Sequence, residues 1–222
     1  MTAAMPPDAT PDAPTGGPHD GAARRPTDRF YPIFDDPAWL TRALPLGVRF
    51  VQMRIKDRPE PELRAALTAA RDLCRRHGAT LVVNDHWRLA IDLGCDWVHL
   101  GQEDLETADL PALRRAGVAF GLSTHDEAEL DRALSCAPAY VALGPVWPTI
   151  LKQMRWHEQG LDRVRAWKAA VGDLPLVAIG GLSVPRAAEA FAAGADIVSV
   201  VTDITLNRDP EARIRAWIEA TR

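Results

Sequence analysis

The stretch VRFVQMRIKDRPEPELRAALTAARDLCRRHGATLVV, residues 48–83, decides the fold. It opens with a short apolar run, VRFVQM at 48–53, and closes with another, TLVV at 80–83. Both are rich in β-branched residues and too short for a helix, so they read as buried strands. Between them lies PELRAALTAARDLCRRHG at 61–78, whose apolar residues recur at three- and four-residue spacing and stop at Gly78. That is an amphipathic helix with its usual terminator. Strand, helix, strand implies two parallel strands joined by a right-handed crossover.

The same alternation extends in both directions. FYPIF (30–34) precedes it, and WVHL (97–100), VAFGL (118–122), AYVAL (139–143), PLVAIG (175–180) and DIVSVV (196–201) follow. Amphipathic stretches such as HDEAELDRALSC (125–136) and VPRAAEAFAAGA (184–195) separate them; those after the third and fourth strands are short. Eight strand–helix units close into a barrel, so the expected fold is α/β, a single (β/α)8 TIM barrel over residues 28–222. The alternative is an open doubly wound sheet, but no GxGxxG follows the first strand. Residues 1–27 are rich in Pro, Ala, Gly and Asp and poor in large apolar side chains, the composition of a disordered tail.

Bulk composition narrows the function classes. The chain has 222 residues, 47% hydrophobic and 25% charged, as in a soluble globular domain. A net charge of −4 argues against a nucleic-acid partner, which calls for a basic field. No apolar run approaches the roughly 20 residues of a membrane span, and the N-terminus lacks a secretory h-region. Cys74, Cys95 and Cys136 are odd in number and widely spaced, which fits reduced, buried thiols in cytoplasm. The sequence leaves a homo-oligomer open.

In a barrel of this kind, function sits where strands end and the following loops begin. After the second strand, Gln52, Arg54 and Lys56 alternate with Met53 and Ile55 and so share one face. Two cations and an amide there suit a highly charged anion such as a diphosphate; the alternative is a polar layer that only fills the barrel. The third strand runs into Asn84 and Asp85, and the fourth is followed by Glu103 and Asp104. Carboxylates from adjacent strand ends can share a hard cation such as Mg²⁺, although Asp85 could equally cap the next helix. Ser123, Thr124 and His125 end the fifth strand, able to hold a phosphate oxygen or to cap a helix.

The loop GPVWPTILKQMRWHEQG (144–160) is unusually long and offers Thr149 and Lys152 to a phosphate. Gly180 and Gly181 end the seventh strand, and Val201 and Thr202 follow the eighth, the usual phosphate cradle of this fold. Paired glycines let a ligand approach the backbone closely; a tight turn is the alternative account. His99 lies within the fourth strand, facing the barrel interior, and His77 ends a helix.

Taken in order, VQMRIKD (51–57), VVNDHWRLA (82–90), VHLGQEDL (98–105), GLSTH (121–125), GPVWPT (144–149) and VAIGG (177–181) resemble the thiamine-phosphate synthase family. The resemblance runs from about Tyr31 to Arg222. It implies a transferase that couples a pyrimidine diphosphate with a thiazole phosphate, releasing diphosphate. By the family pattern, Gln52, Arg54, Lys56, Asn84, Ser123 and Lys152 hold the pyrimidine diphosphate, Asp85 and Asp104 bind Mg²⁺, and Thr149, Gly181, Val201 and Thr202 hold the thiazole phosphate. Arg54, Lys56, Ser123 and Lys152 are the residues it places nearest the chemistry. Two positions depart from the pattern: Leu151 stands where the family has a hydroxyl, and Asp203 stands where a small residue is usual. A carboxylate aimed at a phosphate repels it, so Asp203 must turn away or the ligand must differ. The rival readings are a thiazole tautomerase with His125 as acid or base, and a non-catalytic phosphate-binding barrel.

Overall fold

Eight parallel strands hydrogen-bond in chain order, and the last pairs with the first to close a barrel. The computed structural model describes residues 24–149 and 157–222. The strands are β1 (Phe30–Phe34), β2 (Phe50–Met53), β3 (Thr80–Asn84), β4 (Trp97–Leu100), β5 (Ala119–Thr124), β6 (Tyr140–Leu143), β7 (Leu176–Ile179) and β8 (Ile197–Val200). Each overlaps the apolar run expected from the sequence. β3 and β5 run on into Asn84 and into Ser123 and Thr124, so these polar residues finish their strands.

The helices ring the sheet: α1 (Ala38–Ala43), α2 (Glu60–Arg76), α3 (Trp87–Asp92), α4 (Gln102–Thr107), α5 (Leu110–Arg115), α6 (Glu127–Ser135), α7 (Gly160–Val171), α8 (Val184–Ala192), α9 (Thr202–Thr205) and α10 (Pro210–Ala220). In α2, Glu60 and Glu62 occupy the first turn and Arg75 and Arg76 the last, in the sense the helix dipole favours. Its buried stripe is Leu63, Leu67, Ala70 and Cys74. Burying Leu67 alone stabilises the fold by about 2 kcal/mol. Two short helices, α4 and α5, stand between β4 and β5, where the sequence pattern implies one. The chain restarts because the Asp109 side chain accepts from Ala112 N and Pro111 fills the first turn of α5.

The core has two compartments. The larger lies between sheet and helices; the smaller fills the barrel with Tyr31, Phe50, Val82, Trp97, Tyr140, Ala142, Val177 and Ile197. Gly121 makes room for this interior, since a Cβ there would lie 2.0 Å from the Tyr140 ring. Two residues beyond Phe50, Val82, Trp97 and Gly121, on the same faces, stand Gln52, Asn84, His99 and Ser123. The apolar floor therefore gives way to a polar layer at the C-terminal ends of the strands.

Cys74 and Cys95 are buried, and burial pushes their thiols up to about 12 and about 11 respectively. Cys136 is only half-buried, so the expectation of buried thiols holds for two of the three. At the start of the described chain, Arg24 pairs with Asp96 at 2.9 Å and Thr27 Oγ1 hydrogen-bonds Thr80 Oγ1 at 3.3 Å. The rest of the segment read as a tail lies outside the described residues. Among the described residues, no helix is long and apolar enough to cross a membrane.

Candidate active site at the barrel mouth

Gln52 belongs to the interior layer: it is 2% exposed and its Nε2 donates to the Tyr31 hydroxyl at 2.7 Å. Arg54 N donates to Phe34 O at 2.7 Å, which carries strand alternation past the end of β2. Ile55 is accordingly buried, while Arg54 and Lys56 are exposed. The filler-layer alternative therefore fits Gln52 alone, and the two cations stand in solvent at the rim.

Lys56 Nζ lies 2.9 Å from Asp85 Oδ2. Asp85 does not cap α3; His86 holds that position, and Asp85 sits in the left-handed region at φ 63°. A non-glycine residue there is strained, which turns its carboxylate across to Lys56. Asp104, in the first turn of α4, accepts from Gly101 N at 3.1 Å. Asp85 and Asp104 are close enough to act on one another's ionisation.

The two carboxyls respond in opposite senses. Burial raises Asp85, but the hydrogen bond and charge of Lys56 outweigh it and hold the group below the usual range. Burial and then the Asp85 charge push Asp104 up. The two negative charges disfavour one another at this spacing, a repulsion that a shared cation relieves. No group of three or more His, Cys, Asp or Glu able to hold a metal occurs among the described residues. An ion at this pair would take its other donors from water or substrate.

Asn84 is 5% exposed and registers against His99 across β3 and β4. His99 is a barrel-interior residue, as its strand position implies. Its Nδ1 meets the Tyr140 hydroxyl at 2.9 Å and its Nε2 meets Ser123 Oγ at 2.8 Å. Burial lowers its pKa to about 4, with Asp85 opposing and Arg54 assisting. Ser123 is half-buried and faces the mouth, and its carbonyl accepts from Gln102 Nε2 at 2.7 Å.

Its two neighbours are structural. Thr124 Oγ1 donates to Ala142 O at 3.0 Å and accepts from Trp167 Nε1 at 2.9 Å. His125 Nδ1 lies 2.7 Å from Glu129 Oε2, and its backbone N–H donates to the same oxygen at 2.8 Å. Helix α6 is capped by Asp126, which accepts from Glu129 N.

The glycine pair after β7 admits main chain. Val146 N donates to Ile179 O at 2.9 Å and Trp147 N to Gly180 O at 3.1 Å, so the start of the β6 loop lies alongside β7. A Cβ on Gly181, at φ 64°, would sit 2.5 Å from Pro148 O. Arg186 donates to Gly181 O and stacks over Trp147, bracing this loop from α8. Thr149 is half-buried at the end of the described part of the loop. Lys152 and Leu151 lie outside the described residues.

Val201 immediately precedes α9 and Thr202 opens it, and the Val201 carbonyl accepts from Ile204 N at 3.1 Å and Thr205 N at 3.0 Å. Asp203 is turned toward α10: its Oδ2 accepts from Trp217 Nε1 at 2.8 Å and lies 3.7 Å from Arg213 Nε. Residue-by-residue reading misses Tyr31, Tyr140 and Gln102. The tyrosines are the only two in the chain, and each holds an inward position on its strand, which is the available signal.

Comparison with known proteins agrees with this arrangement. A family model described as thiamine monophosphate synthase matches residues 29–204. A Rhizobium etli protein named thiamine-phosphate synthase is 58% identical over 194 residues, covering 87% of this chain and 95% of that protein. One of the same name from Salmonella choleraesuis is 48% identical over 191 residues, covering 86% and 87%. A solved thiamine phosphate pyrophosphorylase from Pyrococcus furiosus superposes with a TM-score of 0.78 at 27% identity, covering 87% and 95%. The chain belongs to the thiamine monophosphate synthase family.

Proposed function

We propose that this chain is a Mg²⁺-dependent transferase that couples 4-amino-2-methyl-5-(diphosphooxymethyl)pyrimidine with a thiazole phosphate, giving thiamine phosphate and diphosphate in the cytoplasm. The supporting observation is the Lys56–Asp85 pair, 2.9 Å apart, with Asp104 close enough to act on the same carboxylate and Arg54 two residues before Lys56 on the same exposed face. Cations for a diphosphate and carboxylates for a metal meet at adjacent strand ends. An isomerase has no diphosphate to hold, and its proposed acid, His125, is tied to Glu129.

Arg54 and Lys56 bind the diphosphate oxygens, and Ser123 donates to one of them. Asp85 and Asp104 would hold Mg²⁺, which neutralises charge on the diphosphate as it leaves. The methylene C–O bond breaks with its electron pair going to diphosphate, and the thiazole nitrogen supplies the pair for the new C–N bond. The side chains stabilise charge and orient the two substrates, which is worth several kcal/mol, and none acts as a nucleophile. Thr149, Gly181, Val201 and Thr202 present the thiazole phosphate from the opposite side of the mouth.

Calorimetric titration with the pyrimidine diphosphate tests the site. Mg²⁺ is expected to tighten binding about tenfold, and Arg54→Ala to weaken it by a similar factor. Binding indifferent to both changes contradicts the assignment.

A further inference from the structure

Four hydrogen bonds run through the barrel from Gln52 on β2 to Ser123 on β5. Gln52 Nε2 to the Tyr31 hydroxyl is 2.7 Å, Tyr31 to Tyr140 is 2.8 Å, Tyr140 to His99 Nδ1 is 2.9 Å, and His99 Nε2 to Ser123 Oγ is 2.8 Å. The intermediate groups are inaccessible: Tyr31 is 1% exposed, Tyr140 0% and His99 8%. Water cannot substitute for a missing partner here.

We propose that Tyr31, Tyr140 and His99 are positioning residues that fix the proton direction of this chain, so that Ser123 accepts from His99 and turns its own hydroxyl hydrogen to the substrate. The proposal rests on the reading above, in which Ser123 meets the diphosphate. The direction follows from counting hydrogens. Gln52 donates to the Tyr31 oxygen, and Tyr31 has one hydrogen, for which Tyr140 is the acceptor. Ser199, opposite Tyr31 on β8, makes no hydrogen bond among the described residues and so does not compete. Tyr140 then donates its hydrogen to His99, which must present a lone pair at Nδ1. The imidazole proton is therefore on Nε2 and points at Ser123.

The reverse direction needs Gln52 to present its carbonyl and every later bond to invert. Ser123 would then give its only hydrogen to His99 and offer lone pairs to a phosphate oxygen. A mixed state leaves a buried donor or acceptor unpaired, so the chain holds one direction as a unit. Packing keeps the rings in place: Tyr31 is 4.5 Å from Phe50, and Tyr140 stacks on Trp97 at 6.1 Å and on His99 at 5.7 Å. Gly121 leaves the space that Tyr140 fills.

The test is ¹⁵N NMR of the His99 ring in the full chain, with a double-mutant cycle on coupling activity. The unmodified protein is expected to show Nε2 protonated and Nδ1 bare. Tyr140→Phe removes the donor to Nδ1 and is expected to give mixed tautomers with kcat/KM lowered about tenfold. Ser123→Ala added to Tyr140→Phe should then cost less than twofold more, because the hydroxyl has already lost its direction. Tyr31→Phe is expected to behave alike and serves if Tyr140→Phe does not fold. An Nδ1–H tautomer in the unmodified protein overturns the proposal, as does a full Ser123→Ala effect in the tyrosine variant. The NMR readout needs no turnover. Failure to bind the pyrimidine diphosphate would overturn the functional reading, and the tautomer would still decide the proton direction.

Discussion

Lys56 and Asp85 hold each other at 2.9 Å across the ends of β2 and β3, one 49% exposed and the other 17%. A pair with one partner in solvent adds under about 1 kcal/mol to stability, so little is lost when it opens. In the function proposed above, substrate and metal would offer each member a stronger partner: Lys56 a diphosphate, Asp85 a divalent cation. The pair keeps both groups at the mouth until then.

Asp85→Asn and Arg54→Ala are each expected to lower coupling by well over tenfold while leaving the circular dichroism spectrum and the unfolding midpoint near those of the parent. For Asp85→Asn the Mg²⁺ concentration at half-maximal rate should rise as well. Near-normal activity in either folded variant contradicts the site.

Asp203 faces Trp217 and Arg213, so its charge is directed into the α9–α10 packing. Asp203→Ala is predicted to destabilise the fold by about 1–3 kcal/mol, the range for orphaning a partly buried donor. The KM for the thiazole phosphate should change less than twofold. A KM that falls severalfold would show the carboxylate acting on the phosphate after all.

Gly121→Ala places a methyl 2.0 Å from the Tyr140 ring, a residue with no free space around it. The expected cost is about 3 kcal/mol or more, from overpacking a closed interior. Urea denaturation measures it. An unchanged midpoint would mean the ring has room to move, and with it the hydrogen-bond chain.

His99 gives the fold a pH dependence of definite sign. Burial holds its pKa at about 4, against an ordinary value of 6.5. Between those values the unfolded chain takes up the proton and the folded chain does not. The contribution is therefore complete above about pH 6.5 and is lost as pH falls toward 4, at most about 3 kcal/mol. His99→Asn should make unfolding free energies at pH 7 and pH 4.5 more nearly equal than in the parent. An identical difference in both proteins assigns the acid sensitivity to the carboxylates.

The barrel was legible because strand and helix periods differ and each connection repeats the pattern of residues 48–83. The rim cations were legible too, since alternation alone places Gln52, Arg54 and Lys56 on one face. Asp85 was ambiguous: a residue just before a helix reads as a cap, and only the positive φ sends its carboxylate to Lys56. The glycine pair after β7 read as space for a ligand, whereas the β6 loop occupies part of it, a contact between segments far apart in the chain. The interior relay was illegible for the same reason. Tyr31 and Tyr140 are 109 residues apart, and no local pattern distinguishes their hydroxyls from ordinary core phenols.

The most direct test of the central claim is formation of thiamine phosphate from the pyrimidine diphosphate and the thiazole phosphate, run with Mg²⁺ and after its removal with a chelator. Product with Mg²⁺ and none without it is the predicted result. Folded protein that binds the diphosphate and forms no product under either condition would contradict it.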